Sequence, residues 1–334
     1  MIKAIVDLKS RITNTKSIVI TTHVSPDGDA IGSSLGLYHF LKQQNIKAQV
    51  VVPNAFPKFL MWLEGSESII VFDQDSEKAK EVIQRADLIF GLDYNETKRT
   101  AKMQDSIDAS GAYKVLIDHH IGEPTWPDLN LSVVGASSTC ELVLDFISAY
   151  LGDNIQLTSD MAYCIYTGLL TDTGNFQFSA TTPKVHLQAA QLIEAGVEVD
   201  VVHNHINNSF DKQRLQFFGF CVSERMKILK DKKIAYLALS QGDMRHYNVQ
   251  TGGTEGLVNE PMKIADIDIS ILMKEDEGKV KMSFRSKRAI DISVFAKKYF
   301  NGGGHRNAAG GISFKNLVDT ERDLLRYLEE FNIR

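Results

Sequence analysis

Three apolar runs in this chain end in residues of the metal-ligand type, and that recurrence constrains the fold more than any other feature. Val115-Leu116-Ile117 stops abruptly at Asp118-His119-His120, Ser17-Ile18-Val19-Ile20 runs into His23, and Leu88-Ile89-Phe90-Gly91-Leu92 runs into Asp93. Continuous apolar runs of this kind have the composition of strands buried on both faces, as in a parallel sheet covered by helices. Ligands of such a sheet are taken at the carboxyl ends of its strands, so the three polar ends would converge on one site. The pattern predicts an α/β fold that carries a metal-dependent enzyme.

The segment after the first run reads His23-Val24-Ser25-Pro26-Asp27-Gly28-Asp29-Ala30. Pro26 fixes its φ and Gly28 permits unusual φ, so a tight turn can bring Asp27 and Asp29 into the space beside His23. Two divalent ions about 3.5–4 Å apart require such a set of hard oxygen donors with a few imidazoles. Taken singly, Asp29 also reads as the N-cap of a helix over 30–41 and Asp27 as a turn residue.

Further along, 47–52, 69–72 and 88–92 read as strands and 76–85 as a helix, and such alternation implies a parallel sheet with right-handed crossovers. Asp93 after a strand also has the reading of a turn or cap. A helix is expected over 96–108 and a short strand over 131–134. Ser137-Ser138-Thr139 should cap the helix that carries Glu141, Leu142, Leu144 and Phe146. A helix over 158–170 runs into Thr171-Asp172-Thr173-Gly174, where Asp172 reads equally as a ligand and as a surface turn residue. His39, His186, His203 and His205 are read as structural or exposed, the last two because residues two apart do not share a helix face.

The catalytic domain is expected over 1–181, a helical linker over 182–226, and a smaller α+β domain over 227–334 with strands at 233–239, 264–274 and 279–284 and a final helix over 317–331. In that second domain Ser283-Phe284-Arg285-Ser286-Lys287 and Asn301-Gly302-Gly303-Gly304-His305-Arg306 stand out. An arginine at a strand end can hold a phosphate in bidentate fashion, and glycines let backbone N–H groups approach an anion. Each segment also has a bland reading, a solvated strand end for Arg285 and Lys287 and a flexible loop for the glycines.

Composition narrows the partners. The 37 basic and 42 acidic residues leave a net charge of -5, which argues against a broad basic surface for long nucleic acid. Cys140, Cys164 and Cys221 have no paired spacing, so neither a disulfide framework nor a thiolate zinc site is indicated. Neither a leader-like N-terminus nor a run of about 18 apolar residues is evident, and a cytoplasmic protein without membrane contact is expected.

Taken together, His23, Asp27-Gly28-Asp29-Ala30, Asp93, Asp118-His119-His120 and Asp172, followed by Gly302-Gly303-Gly304-His305, resemble the DHH family of phosphoesterases with its DHH-associated C-terminal domain. The motifs occur in the family's order along nearly the whole chain, and at this length the resemblance is to the bacterial branch that degrades short oligoribonucleotides and removes the 3′-phosphate of 3′-phosphoadenosine 5′-phosphate. It implies two divalent ions, usually Mn²⁺, one on His23, Asp27 and Asp93 and the other on Asp29, Asp93, His119 and Asp172, with Asp93 shared. It further implies that Asp118 orients a histidine, that His120 faces the scissile phosphate, and that Ser283, Arg285, Gly303, Gly304 and His305 bind substrate. The active site is then expected in a cleft between the domains.

The expected partners are short single-stranded RNA oligonucleotides and phosphorylated nucleotides, not long duplexes, and a homodimer is compatible with this reading. Alternatives within the same chemistry are a phosphodiesterase of cyclic or linear dinucleotides and a polyphosphatase. A catalytically silent nucleotide sensor is the alternative outside it.

Overall fold

Strand and helix alternate along the N-terminal part of the chain as the apolar pattern demands. A computed structural model of the protein describes residues 2–152, 155–209, 211–250, 252–287 and 289–331. The chain divides into two units between residues 209 and 210.

The first unit holds strands β1 (Ile18–Thr21), β2 (Ala48–Val52), β3 (Ile70–Val71), β4 (Leu88–Leu92), β5 (Tyr113–Ile117) and β6 (Leu129–Asn130). They form one sheet in the order β3-β2-β1-β4-β5-β6, parallel at every pairing. Strand order reverses between β1 and β4, so the crevice at their carboxyl ends is the switch point at which open α/β sheets take ligands. The helices are α1 (Ile2–Asn14), α2 (Gly28–Gln43), α3 (Ser76–Gln84), α4 (Gln104–Ala109), α5 (Thr139–Leu151), α6 (Ser159–Asp172), α7 (Pro183–Glu194) and α8 (Val199–Ile206).

Side chains alternate across the pleat, and both sets are buried. Ile18, Ile20, Val50, Val52, Leu88, Phe90, Val115 and Ile117 join α1, α2, α5 and α6 in one core. Val19, Val51 and Ile89 face the other way, against Ala79, Ile83 and Ile107 of α3 and α4. Each such side chain contributes about 1.5–3 kcal/mol of burial, which is why the strands read as unbroken apolar runs. A sheet covered by helices on both faces is thus the fold of this unit.

Some expected elements differ. The helix over 96–108 is mostly a 3₁₀ segment, Thr97–Met103, followed by the short α4, because Ala101 takes φ +50 and breaks the α ladder. The short strand lies at Leu129–Asn130 and not at 131–134, since the Asn130 side chain accepts from Ser132 N at 2.9 Å and turns the chain there.

The second unit contains α9 (Lys212–Phe220), β7 (Met226–Leu229), β8 (Ile234–Leu239), α10 (Gln241–His246), β9 (Ile269–Asp276), β10 (Lys279–Ser286), α11 (Ile292–Tyr299), β11 (Gly303–His305), β12 (Ala308–Ser313) and α12 (Leu317–Glu330). Its sheet has the order β11-β12-β10-β9-β8-β7, antiparallel except for β8 beside β9. The strand expected from 264 begins only at Ile269, because Leu257–Lys263 forms a 3₁₀ segment and Ile267 N closes a turn onto Ile264 O. Of the segment 182–226, α7 and α8 lie in the first unit and α9 in the second.

Candidate metal centre

Residues 22 and 23 continue from β1, Asp93 follows β4, and Asp118-His119-His120 follow β5, so the carboxyl ends of three adjacent strands deliver donors to the switch point. His23 is 7% exposed, Asp29 1%, Asp93 2% and His119 4%, so these groups are removed from bulk water and must satisfy one another.

Two overlapping sets result. In one, His23 Nε2 lies 3.2 Å from Asp93 Oδ2 and 4.0 Å from Asp27 Oδ1. In the other, His119 Nε2 lies 3.4 Å from Asp93 Oδ1, 3.3 Å from Asp172 Oδ2 and 3.8 Å from Asp29 Oδ2. Each of the triples His23–Asp27–Asp93 and Asp29–His119–Asp172 offers donor atoms within 4.8 Å of one another, and a third triple joins Asp93, His119 and His120. Asp93 presents one carboxylate oxygen to each half. Its own φ is +67, in the left-handed region, a strain of about 1–3 kcal/mol of the kind that concentrates at functional sites.

The imidazoles are oriented from behind. His23 Nδ1 donates to Val24 O at 2.9 Å and His119 Nδ1 to Ala136 O at 3.2 Å, turning each Nε2 toward the carboxylates. His120 Nδ1 donates to Asp118 Oδ1 at 2.7 Å, and Asp118 is fully buried.

Helices bring the remaining carboxylates. The α2 N-cap is Asp27, not Asp29: its Oδ1 accepts from Asp29 N at 3.1 Å and Ala30 N at 3.0 Å, worth about 1 kcal/mol. Asp27 therefore serves the helix and the cluster together, because Gly28 begins the helix a residue or two earlier than expected. Asp172 occupies the last turn of α6, extended beyond the expected 170.

The close approach of α2 to α6 depends on missing side chains. A Cβ on Gly32 would come 2.4 Å from Cys164 O, and one on Gly168 would come 2.1 Å from Cys140 Sγ and 3.0 Å from Asp29 Oδ1.

Electrostatics describe a cluster with more negative charge than its histidines balance. Burial and then the charge of Asp93 push Asp29 up to about 7, while burial and the charge of Asp29 hold Asp172 well above the usual carboxylate range. Burial opposes ionisation of Asp93 too, yet hydrogen bonds from His119 and His23 keep it well below that range. Burial would depress His23, but the Asp93 hydrogen bond and the charges of Asp27 and Asp93 outweigh it and hold it at about 9. His119 is raised likewise against burial, by Asp93, Asp172 and Asp29. Protons are shared here among groups that a pair of hard divalent cations would satisfy better, and the mix of carboxylate oxygens with imidazole nitrogens suits such ions.

Sequence reasoning missed the contribution of α5. Ser138 is its N-cap, accepting from Glu141 N at 3.0 Å, but the next residues reach into the cluster. Thr139 N and Cys140 N donate to the two oxygens of Asp29 at 2.6 and 2.8 Å, and Thr139 Oγ1 donates to Asp93 Oδ1 at 3.0 Å. The available signal was the run of three hydroxyl residues, 137–139, where one suffices for a cap. The histidines set aside as structural do have structural partners: His39 Nε2 bonds Glu64 O at 2.8 Å, and His205 stacks on Trp62 at 4.3 Å.

In the second unit Ser283 pairs with Gly310 and Arg285 with Ala308, while Gly303 and His305 pair with the same Gly310 and Ala308 from the other side. The register thus sets Ser283 level with Gly303, and Arg285 level with His305, across three strands. Arg285 Nη1 donates to Phe284 O at 3.0 Å, and the side chain of His305 lies outside the described residues. Gly303 and Gly304 are strand residues of β11 and not a free loop, and Gly302 directly precedes them. A Cβ on Gly302 would lie 2.0 Å from Gly310 O, and one on Gly304, at φ +136, would lie 2.6 Å from Ala308 O.

A doubly wound sheet carrying a carboxylate–imidazole centre at its switch point, followed by a second mixed-sheet unit, defines the class of protein. The family model described as DHH family, N-terminal domain, matches residues 17–169, and that of the DHHA1 domain matches 231–332. The chain is similar to the bifunctional oligoribonuclease and PAP phosphatase NrnA of Thermus thermophilus, 31% identical over 93% of this chain and 88% of that one. It is 28% identical to the probable enzyme of that name from Streptococcus mutans, over 93% and 94% of the two chains. The crystal structure of an exopolyphosphatase-related protein from Bacteroides fragilis superposes with a TM-score of 0.91 at 36% identity, covering 98% of this chain and 96% of that one. The chain belongs to the DHH family, with a DHHA1 domain following the DHH domain. Among the described residues no helix is long and apolar enough to cross a membrane.

Proposed function

We propose that this protein is a phosphoesterase that hydrolyses short oligoribonucleotides and removes the 3′-phosphate of 3′-phosphoadenosine 5′-phosphate, with two divalent cations, manganese by preference. The observation that carries the reading is the shared Asp93, one oxygen 3.2 Å from His23 and the other 3.4 Å from His119. The relatives named for these activities align over most of their length with this chain.

His23, Asp27 and Asp93 are assigned to one cation, and Asp29, Asp93, His119 and Asp172 to the other. Bound there, a cation pair supplies an acidified water and neutralises charge gathering on the phosphoryl oxygens. The chain's own residues do the rest. Asp93 spaces the two sets, since it belongs to both. Asp118 holds His120 through Nδ1, and the imidazole so oriented is assigned to hydrogen-bond the reacting phosphate or to protonate the departing oxygen. In the DHHA1 domain Ser283, Arg285, Gly303, Gly304 and His305 are assigned to a terminal phosphate, with the guanidinium as the bidentate partner. Catalysis is assigned to residues 1–181 and substrate grip to 227–334. The net charge of -5 favours short substrates, because each further nucleotide adds a charge without a corresponding basic track.

The test is to incubate the purified chain with Mn²⁺ and, separately, a diribonucleotide, 3′-phosphoadenosine 5′-phosphate, a cyclic dinucleotide and polyphosphate. Hydrolysis of the first two, lost in Asp93→Ala, is expected. Turnover confined to polyphosphate or the cyclic dinucleotide, or an Asp93→Ala variant with unchanged turnover, overturns the proposal.

A further inference from the structure

The N-terminus of α5 touches both central carboxylates. Thr139 N and Cys140 N donate to Asp29 Oδ2 and Oδ1, and Thr139 Oγ1 donates to Asp93 Oδ1. Thr139 is fully buried, so its hydroxyl has no water to exchange with and its bond to Asp93 is retained.

That helix end is itself fixed from two directions. Ser137 N donates to Glu141 Oε2 at 2.7 Å, and Lys184 of α7 reaches Glu141 Oε1 at 2.9 Å. Gln188, also of α7, donates to Glu141 O at 3.1 Å and to Asp145 Oδ1 at 3.0 Å. A rigid helix end therefore holds a hydroxyl against one carboxylate and two amides against another.

We propose that Thr139 is a positioning residue for the binuclear centre: its hydroxyl occupies one lone pair of Asp93 Oδ1, and this divides the carboxylate so that Oδ1 serves the His119 half while Oδ2 serves the His23 half. Oδ1 lies 3.4 Å from His119 and 3.5 Å from His120, whereas Oδ2 lies 3.2 Å from His23, so the division is already present in the arrangement of the side chains. Without the hydroxyl, Asp93 is free to rotate about χ2 and present both oxygens to one half. The same residue's backbone N–H holds Asp29, so α5 sets the spacing between the carboxylate shared by both sets and one that belongs to the His119 set alone. The inference rests on the reading of the cluster as a site for two cations.

The experiment is calorimetric titration of the chelator-stripped full chain with Mn²⁺, for wild type, Thr139→Val and Thr139→Ser, beside the melting temperature of each metal-free protein. Wild type is expected to take up two equivalents. Thr139→Val, which keeps shape and backbone amide but loses the hydroxyl, should bind at least one equivalent about 10–100-fold more weakly, the usual effect of removing a group that orients a ligand. Thr139→Ser should restore the affinity, and the metal-free melting temperature should hardly move. Where Thr139→Val does not fold, Thr139→Ala against Thr139→Ser makes the same comparison.

Wild type that takes up no Mn²⁺ removes the binuclear reading itself. Wild type with two equivalents and Thr139→Val with unchanged affinity removes only the role of Thr139. A Thr139→Ser variant as weak as Thr139→Val assigns the effect to the methyl group and also overturns the inference.

Discussion

Replacing Gly32 with alanine perturbs the candidate centre without touching any of its ligands. A Cβ there would lie 2.4 Å from the backbone carbonyl of Cys164 and 3.1 Å from Gly168 N. A carbonyl inside α6 cannot swing aside as a side chain can. Ordinary contact between heavy atoms is reached near 3.5 Å, so α2 must withdraw from α6 by roughly 1 Å. Asp29 lies one turn earlier on α2 and moves with it, away from the amides of Thr139 and Cys140 and from Asp172 on α6.

Overpacking of this kind costs about 1–3 kcal/mol, partly offset by the roughly 1 kcal/mol by which alanine exceeds glycine inside a helix. The net loss, about 0–2 kcal/mol, corresponds to a fall in melting temperature of no more than about 8 °C for a unit of this size. A displacement near 1 Å at a reacting centre costs about 100-fold in rate, so kcat/KM should fall far more than stability. The assay is kcat/KM on a diribonucleotide under saturating Mn²⁺ beside a thermal melt. Gly219→Ala serves as the control, a helical glycine with nothing within 4 Å of its added Cβ, where both quantities should hold or improve. Wild-type kcat/KM in folded Gly32→Ala would refute the idea that the α2–α6 contact places Asp29.

Other outcomes follow from the charges. Asp29 and His23 are both raised in the folded protein, to about 7 and about 9. The folded state therefore binds more protons than the unfolded one, and the stability they contribute is lost as pH rises, through about 7 for Asp29 and about 9 for His23. The metal-free melting temperature should fall from pH 5 to pH 9 while affinity for Mn²⁺ rises over the same range, because cations replace those protons. A metal-free melt that is flat or rises with pH contradicts this. Arg285→Ala should raise KM for terminally phosphorylated substrates by roughly 10–100-fold, the equivalent of one charge-assisted hydrogen bond, with a smaller change in kcat. An unchanged KM on every such substrate removes Arg285 from the site.

The sheet was legible because each central strand is buried on both faces, so Val19 and Ile20 are equally apolar although they enter different cores. The ends of those strands were legible for the converse reason, that His23, Asp93 and Asp118 are polar where the pattern demands apolar residues. What could not be read is what depends on proximity between distant segments. Thr139 looks like one more helix-capping hydroxyl until Asp93, 46 residues away, is seen to accept from it. Gly32 and Gly168 look like weak points in two helices until each is placed against the other helix. The glycine run at 302–304 offered flexibility as its simplest explanation, whereas Gly304 is demanded by its left-handed φ and by Ala308 O across the strand pair.

The most direct measurement is a crystal structure of the chain grown with Mn²⁺, with anomalous data collected at the manganese edge. Two peaks astride Asp93 are predicted, one contacted by His23, Asp27 and Asp93 and the other by Asp29, Asp93, His119 and Asp172. A single peak, or manganese bound away from Asp93, would contradict the two-cation account.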